Sequence, residues 1–377
     1  MVKTPWSCHF VDIYTAVKEG LPLNIEELKA AKNRDALFSG GLTDSFWTVL
    51  AFRISMGSMT AQTPAAPFRS RCQTRREFLR QTAFVLAVAA LEPPLTFRSS
   101  AAETSSQTAT KTLVGSNIYG WGQYAQRDHK TLDVEEVISA LRDSGYDYLE
   151  NFLDVNRPEE NARFADRLRA KGLQPVSLYT GARLHEAGKA EEVVAKLLTA
   201  AKVCQQAGFS VFSCNTDPIG REKTDEELKT QADALTDLGG GLKALGIKLG
   251  VHQHMPEMAN HAREFHYNFR HTKPAVVGWC YDVHWVWKGG VMPLDGLKKY
   301  GGRVVTWHLR QSRDNVWWED LDTGDVDYAA VAEYAKAHNL ARRFSVELAI
   351  EPGTKITRSV VENHRRSREF VKRVFET

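Results

Sequence analysis

Cysteine is scarce in this chain of 377 residues, and its placement excludes several kinds of site. The five cysteines are Cys8, Cys72, Cys204, Cys214 and Cys280. An odd number with no CxxC pair is atypical of a disulfide framework or of an all-cysteine zinc site. The last three lie in apolar contexts, so we expect them to pack as small hydrophobic side chains.

The chain also lacks a strong net charge and a long apolar run. Its formal net charge is +3, with 25% charged and 43% apolar residues, which is the composition of an ordinary globular protein. Basic residues alternate with acids in stretches such as 159–171, so no nucleic-acid partner is indicated. No apolar run approaches the roughly 20 residues needed to cross a bilayer, so no stable membrane span is expected.

A segment in the N-terminal part of the chain has the three parts of an export signal. Residues 74–80 read TRREFLR, an apolar stretch follows at 83–91, and small residues occupy 99–102. This order is typical of a secretory signal. The segment resembles a bacterial twin-arginine signal, which implies a periplasmic or secreted protein. The alternative is an Arg-rich turn before a short buried helix in a cytoplasmic protein.

The late position of this signal suggests how the chain is divided. We assign residues 1–70 to an N-terminal extension of doubtful relevance and residues 71–102 to the signal segment. A linker rich in Ser, Thr and Ala follows at 103–111, and 112–377 form the folded domain.

Deleting residues 1–110 should leave the rest of the protein nearly unchanged. As signal and upstream sequence, these residues should contribute no packed core to the domain that follows. We expect the truncated and full-length chains to share one melting temperature and one metal affinity, measured by thermal unfolding and calorimetric titration. A large loss of stability would show that the segment belongs to the fold.

From residue 112 onward, short β-rich runs alternate with longer amphipathic runs. A glycine ends several of the predicted helices, because glycine accepts the left-handed conformation found there. These glycines are Gly145, Gly172, Gly208, Gly246 and Gly301. The predicted strands are 112–119, 146–152, 173–178, 209–214, 247–252, 276–282, 303–309 and 344–349. The predicted helices include 134–144, 159–171, 190–207, 225–245, 328–338 and 358–375.

Eight alternating β and α units favour a (β/α)8 TIM barrel, because such units form parallel sheets. A doubly wound open sheet is the alternative. It would normally place a glycine-rich phosphate turn after its first strand. Residues 119–124 occupy that position, and we find there neither the GxGxxG spacing nor a helix start behind it.

Residue types that bind metals or transfer protons stand at the ends of the predicted strands. In a TIM barrel the carboxyl ends of the strands meet at one face, where the working residues lie. The residues are Glu150, His252, His254, Asp282, His284, His308, Arg310 and Glu347. Imidazole and carboxylate ligands from adjacent strands suit one divalent ion such as Mn2+, Zn2+, Co2+ or Mg2+.

These motifs resemble those of the xylose isomerase-like superfamily, which includes sugar phosphate isomerases and epimerases. The likeness covers nearly all of 113–377. It rests on the segments 145–150 (GYDYLE), 250–254 (GVHQH), 277–284 (VGWCYDVH), 307–310 (WHLR), 324–327 (GDVD) and 346–347 (VE). The resemblance implies that His252, Asp282, His308 and Glu347 hold the ion. Strand 5 of the family commonly supplies a glutamate where this chain has His252, and Arg310 stands where a lysine is frequent.

The resemblance implies isomerisation or epimerisation of a sugar or keto-sugar, by removal of a proton next to a carbonyl. Glu347 is the first candidate for the base, with His252 or His254 as its proton partner and Glu150 as a further candidate. Aromatic faces stack on the C–H faces of sugars. The candidates for binding a small sugar-like substrate are Trp121, His284, Trp285 and Arg310.

Two other classes of function stay open. One is a metal-assisted lyase or hydrolase that acts on an oxidised glycoside, and the other is a non-catalytic sugar-binding barrel. Predicted export and the lack of a glycine-rich phosphate loop favour an unphosphorylated substrate. The superfamily also contains zinc-dependent abasic-site endonucleases, but these need a larger metal cluster than this sequence offers. Assembly of the chain into a homo-oligomer is left open.

Overall fold

The computed structural model describes residues 111–376, and the predictions for the extension, the signal and most of the linker lie outside these described residues. Within the described part, no helix combines the length and the apolar character that crossing a membrane requires.

Eight parallel strands close into a barrel. The strands are β1 (Leu113–Asn117), β2 (Tyr148–Phe152), β3 (Ser177–Ala182), β4 (Val211–Thr216), β5 (Lys248–His252), β6 (Val277–Asp282), β7 (Val304–Leu309) and β10 (Arg343–Val346). A separate antiparallel pair, β8 (Ser312–Arg313) and β9 (Val316–Trp317), follows β7. The order around the barrel is β1-β10-β7-β6-β5-β4-β3-β2, which confirms the TIM barrel and excludes the open sheet.

Helices connect the strands. They are α1 (Ile118–Arg127), α2 (Val134–Asp143), α3 (Pro158–Ala170), α4 (Ala190–Gln206), α5 (Asp225–Ala244), α6 (Met255–His271), α7 (Val283–Lys288), α8 (Pro293–Tyr300), α9 (Tyr328–Ala337) and α10 (Val360–Val371). The six predicted helices are confirmed, whereas α1, α6, α7 and α8 were not predicted. Helix α2 shows why the pattern was informative, because Val137, Ile138 and Leu141 lie on one face and are buried.

A helix ends at each of the five predicted glycines, and at four of them the backbone is left-handed. Gly145, Gly172, Gly208 and Gly246 have φ values of 78°, 81°, 92° and 76°. This left-handed region is open to glycine without the penalty that a side chain brings. Gly301 differs, because its φ is −54° and it begins the 3-10 turn Gly301–Arg303.

Three of the strand boundaries that differ from the prediction bear on the site. Strand β3 begins at Ser177 rather than 173, because Pro175 has no N–H to donate to a neighbouring strand. Strand β1 ends at Asn117, whose side chain accepts a hydrogen bond from the Tyr119 N–H at 2.8 Å and caps α1. A helix therefore begins where none was predicted. Strand β10 ends one residue before Glu347.

Large and small side chains fill the barrel interior. Tyr148 of β2 packs against Gly115 of β1, where an added Cβ would lie 2.3 Å from the tyrosine ring. The Tyr148 hydroxyl reaches across to the Ser345 hydroxyl of β10 at 2.9 Å. This contact joins three strands at the level just below the barrel mouth. The cysteines of the described chain, Cys204, Cys214 and Cys280, are buried and free, as expected.

Candidate active site

The register of neighbouring strands brings the four predicted metal ligands to one place. Asp282 on β6 lies beside His308 on β7, and His308 lies beside Ser345 on β10, which leads into Glu347. His252 ends β5, the other neighbour of β6. Each of the four predicted ligands is buried and offers one donor atom, and these atoms all lie within 4.8 Å of one another.

Two buried nitrogen atoms in this group have no hydrogen bond within the described chain. They are His252 Nε2, which lies 3.4 Å from Asp282 Oδ2, and His308 Nδ1, which lies 2.9 Å from Glu347 Oε2. Divalent ions such as zinc bind imidazole nitrogen and carboxylate oxygen at about 2.0–2.2 Å, so their ligands gather closely in this way. The donor set therefore fits one divalent ion.

Cys280 offers a further donor atom close to His252 and His308. Burial raises the pKa of its thiol above the ordinary range. The side chain is fully buried and free, as expected for a cysteine that packs as a small hydrophobic residue.

Glu150 is fully buried and orients His308. Its Oε2 accepts hydrogen bonds from His308 Nε2 at 2.7 Å and Asn117 Nδ2 at 2.8 Å, and its Oε1 accepts from Ser177 Oγ at 2.5 Å and Ser213 Oγ at 2.9 Å. Burial alone would raise the pKa of Glu150, but His308, the Ser177 hydroxyl and the Asn117 amide outweigh it and lower the pKa to about 2. Both oxygens are occupied, so the contacts of Glu150 give no support to its predicted role in proton transfer. Instead, Glu150 holds His308 through its Nε2 atom, so that the other ring nitrogen, Nδ1, faces the other predicted metal ligands.

Arg310 is buried and bridges two of the predicted ligands. Its Nη2 lies 3.0 Å from Asp282 Oδ2 and 2.8 Å from Glu347 Oε1. Its guanidinium lies over the rings of Trp317 at 4.8 Å and Trp285 at 5.4 Å.

Burial would raise the pKa of Glu347, but Arg310 and His308 outweigh it and lower the pKa to about 2. Burial would likewise raise the pKa of Asp282, but Arg310 and His252 hold it below the ordinary range. Both carboxylates are therefore ionised at neutral pH.

His254 lies just past the end of β5, where it precedes α6. Its ring is 4.6 Å from that of His252 and 5.8 Å from that of Trp285, so it belongs to the barrel mouth. Burial, helped by His252, lowers the pKa of His254 to about 3. The imidazole is therefore neutral at neutral pH, so His254 could act as the predicted proton partner only by accepting a proton.

His284 is fully buried on α7, and its tautomer is set by a hydrogen-bonded chain. Its Nε2 lies 3.0 Å from Ser312 Oγ, and Ser312 Oγ donates to Asp325 Oδ2 at 2.9 Å. Because the serine proton is used by Asp325, His284 Nε2 donates to the serine. Its Nδ1, which has no partner among the described residues, is left as a hydrogen-bond acceptor. This arrangement suits the predicted binding of a hydroxyl-bearing substrate.

Trp121 packs between two helices in the described structure, and its role in substrate binding stays a prediction. Its Nε1 donates to Ser116 Oγ at 3.0 Å, and its ring stacks on His364 of α10 at 4.1 Å. The side chain is 5% exposed. Trp121 therefore packs α1 against α10.

Two residues of the mouth were not predicted from the sequence. The Tyr179 hydroxyl on β3 lies 3.5 Å from His252 Nδ1, and Glu257 in the first turn of α6 accepts the His254 N–H at 2.7 Å. The misplaced boundary of β3 left Tyr179 outside the predicted strand. Pro256 is a signal for the missed helix, because proline is common in the first turn.

Comparison with known proteins agrees with this fold. The sequence model of the family described as "Xylose isomerase-like TIM barrel" matches residues 138–373. An inosose dehydratase of Clostridium tetani (strain Massachusetts / E88) is 31% identical over 117 residues, which are 30% of this chain. The match covers 39% of the length of that relative.

Solved structures of low sequence identity share the fold. A sugar phosphate isomerase/epimerase from Parabacteroides distasonis ATCC 8503 superposes with a TM-score of 0.58 and 18% identity, covering 71% of this chain and 96% of that one. A structure described as the IolI protein with a binding zinc atom superposes with a TM-score of 0.57 and 16% identity. The match covers 70% of this chain and 100% of that one.

Proposed function

Because this chain belongs to the xylose isomerase-like TIM barrel family, we propose that it is a metal-dependent lyase that removes water from an oxidised sugar or polyol. The observation that carries the proposal is the buried convergence of His252, Asp282, His308 and Glu347 at the barrel mouth. The similarity to inosose dehydratase supports elimination over the isomerisation that the sequence first suggested.

The first chemical step is removal of a proton from the carbon next to a ketone. A divalent ion, when bound, would polarise the carbonyl and stabilise the negative charge that develops on its oxygen. The guanidinium of Arg310 places a second positive charge beside the predicted metal ligands. Two carboxylates and two indole rings fix its position. Glu347 is ionised at neutral pH and can accept the proton, which keeps the role of base predicted for it.

Other side chains at the mouth suit a substrate with many hydroxyl groups. The Nδ1 atom of His284 can accept a hydrogen bond from a hydroxyl. Trp285 and Trp317 meet edge to face with ring centroids 5.6 Å apart, and Trp285 is half-buried. Indole surfaces of this kind pack against the C–H faces of sugar and polyol rings. Export through the proposed twin-arginine signal would favour a free substrate over a phosphorylated one.

An isomerase or epimerase is the second candidate. The structural likeness to a sugar phosphate isomerase/epimerase supports it, and proton removal beside a carbonyl begins both reactions. The two differ in whether a C–O bond breaks afterwards.

Incubating the metal-loaded protein with an inosose in D2O, followed by NMR, separates these functions. We expect exchange of the C–H next to the ketone together with loss of water and appearance of an unsaturated product. Exchange without loss of water would establish isomerase or epimerase chemistry. Binding with neither exchange nor loss would establish a sugar-binding barrel. Protein treated with a chelator is the control and should show no turnover.

A further inference from the structure

Glu257 is a buried carboxyl group at the barrel mouth that the proposed mechanism leaves unused. Its side chain is 1% exposed, in the first turn of α6. One oxygen, Oε2, accepts the backbone N–H of His254 at 2.7 Å. The other, Oε1, is buried and has no hydrogen-bond partner in the described part of the chain. Buried polar atoms are rarely left without a partner, so this oxygen is a candidate for contact with a ligand.

The backbone that carries Glu257 is strained. Asn260, His261 and Ala262 have φ values of 49°, 57° and 58°, and they break α6 shortly after Glu257. Residues other than glycine are uncommon in this left-handed region, and such strain concentrates at functional sites. Ala262 is fully buried, so the surrounding packing holds the break in place.

The groups around Glu257 favour its neutral form. Burial, and then the Glu264 carboxylate on the same helix, raise the pKa of Glu257 to about 8, although the His254 N–H and Lys223 oppose the shift. Lys223, from the loop before α5, has its ammonium 2.6 Å from Glu264. Burial is the main cause that raises the pKa of Tyr179 on β3, and Glu257 is one of the nearby groups that add to this shift. At neutral pH it is mainly a carboxylic acid.

Elimination of water requires a proton donor at the mouth. Hydroxide is a poor leaving group at neutral pH, so the departing oxygen must be protonated as its bond to carbon breaks. Glu347 is already assigned to take the proton from carbon, so another group must supply the proton to the leaving oxygen. Glu257 lies at the mouth with one buried carboxyl oxygen that has no partner among the described residues.

We propose that Glu257 is the catalytic acid that protonates the leaving hydroxyl group during dehydration. The inference rests on the proposed function. Glu347 takes the proton from the carbon beside the ketone, and the C–H electron pair forms the new C=C bond. The C–O bond breaks with its electrons on oxygen, which takes the Glu257 proton and leaves as water. No oxidant or reductant is needed, and proton exchange with solvent restores both carboxyl groups.

The test compares Glu257→Gln with the wild-type protein on two probes. One is an inosose, and the other is its analogue with fluorine in place of the leaving hydroxyl, because fluoride departs without a proton. We expect the variant to lose water elimination by about 10²–10⁴-fold. It should keep C–H exchange in D2O and fluoride release near the wild-type rates. Glu333→Gln, on the exposed side of α9, is the matched control and should keep all three activities.

Each remaining outcome decides against the proposal. Wild-type rates of water elimination in Glu257→Gln would overturn the acid role, and so would a loss of fluoride release as large as the loss of water release. Absence of both exchange and elimination in the wild-type protein would overturn the proposed function, and the acid role with it. The two failures can therefore be told apart. If the wild-type protein is active and only the Glu257→Gln results disagree, the acid role is wrong and the proposed function stands.

The pH profile of the wild-type protein gives a second measurement that does not depend on the folding of a variant. An acid must carry its proton, so dehydration of the inosose should decline as the pH rises through about 8. Fluoride release from the analogue should not decline in that range. The charged or titratable groups that face Glu257 are Glu264, Lys223, His254 and Tyr179. Parallel decline of both reactions would contradict the proposal.

Discussion

Replacing Glu347 by glutamine should lower the affinity for a divalent ion by more than about 100-fold. A residue that merely orients a metal ligand costs about 10–100-fold when it is changed, and Glu347 would lose a charged ligand atom. Turnover should fall as well, because glutamine cannot accept the proton from carbon. Calorimetric titration with Zn2+ or Mn2+ and the inosose assay measure the two effects.

Glu351→Gln is the matched control, since this residue lies four positions further along the same segment. Its Oε1 accepts the Trp317 N–H at 2.8 Å and lies 3.5 Å from Lys288 Nζ, so it is engaged in the loop and not in the ligand group. The metal affinity of this variant should equal that of the wild-type protein. Loss of metal binding in Glu351→Gln but not in Glu347→Gln would reverse the assignment.

Replacing Arg310 by methionine should destabilise the metal-free protein by about 3–5 kcal/mol, because removing one partner leaves buried charges uncompensated. Asp282 and Glu347 would then face each other without their shared cation. A divalent ion supplies the missing charge and binds only the folded protein, so it should recover most of the loss. We therefore expect metal to raise the melting temperature of Arg310→Met more than that of the wild-type protein.

Arg303→Met separates this effect from the general cost of losing a buried arginine. Arg303 is buried as well, but its guanidinium donates to the carbonyl oxygens of Phe269 and Val277 and to the Thr272 hydroxyl. Among residues 111–376, no carboxylate forms an ion pair with Arg303. This variant should lose stability without recovery on metal addition. An equal metal-induced rise in both variants would show that Arg310 does not share the ligands of the ion.

Local sequence pattern was sufficient to predict the barrel. The apolar stripe of α2 and the glycines at 145, 172, 208 and 246 are short-range signals, because helical periodicity and left-handed turns depend on a few neighbouring residues. The same reasoning failed at α6 and β3. Helix α6 is interrupted by the left-handed residues 260–262, and Pro175 displaced the start of β3. Tyr179 and Glu257 were missed for these reasons.

Roles within the site depended on contacts that no local pattern contains. Glu150 was predicted to act on the substrate, but it meets His308, 158 positions away, and three other donors. Trp121 was predicted to bind substrate, and the structure shows its ring stacked on His364. In both residues the side chain has the chemistry that the prediction assumed. Its partners in the folded chain, however, are residues that no local sequence pattern contains.

The sequence by itself determined the family fold and the strand ends that carry His252, Asp282, His308 and Glu347. Periodicity and parallel topology are enough to place such residues at one face. Tertiary structure alone decided that Glu257 is protonated at neutral pH while Glu347 is ionised. The physical reason is that the charge of a carboxyl group depends on its burial and on the charges around it, and chain folding sets both.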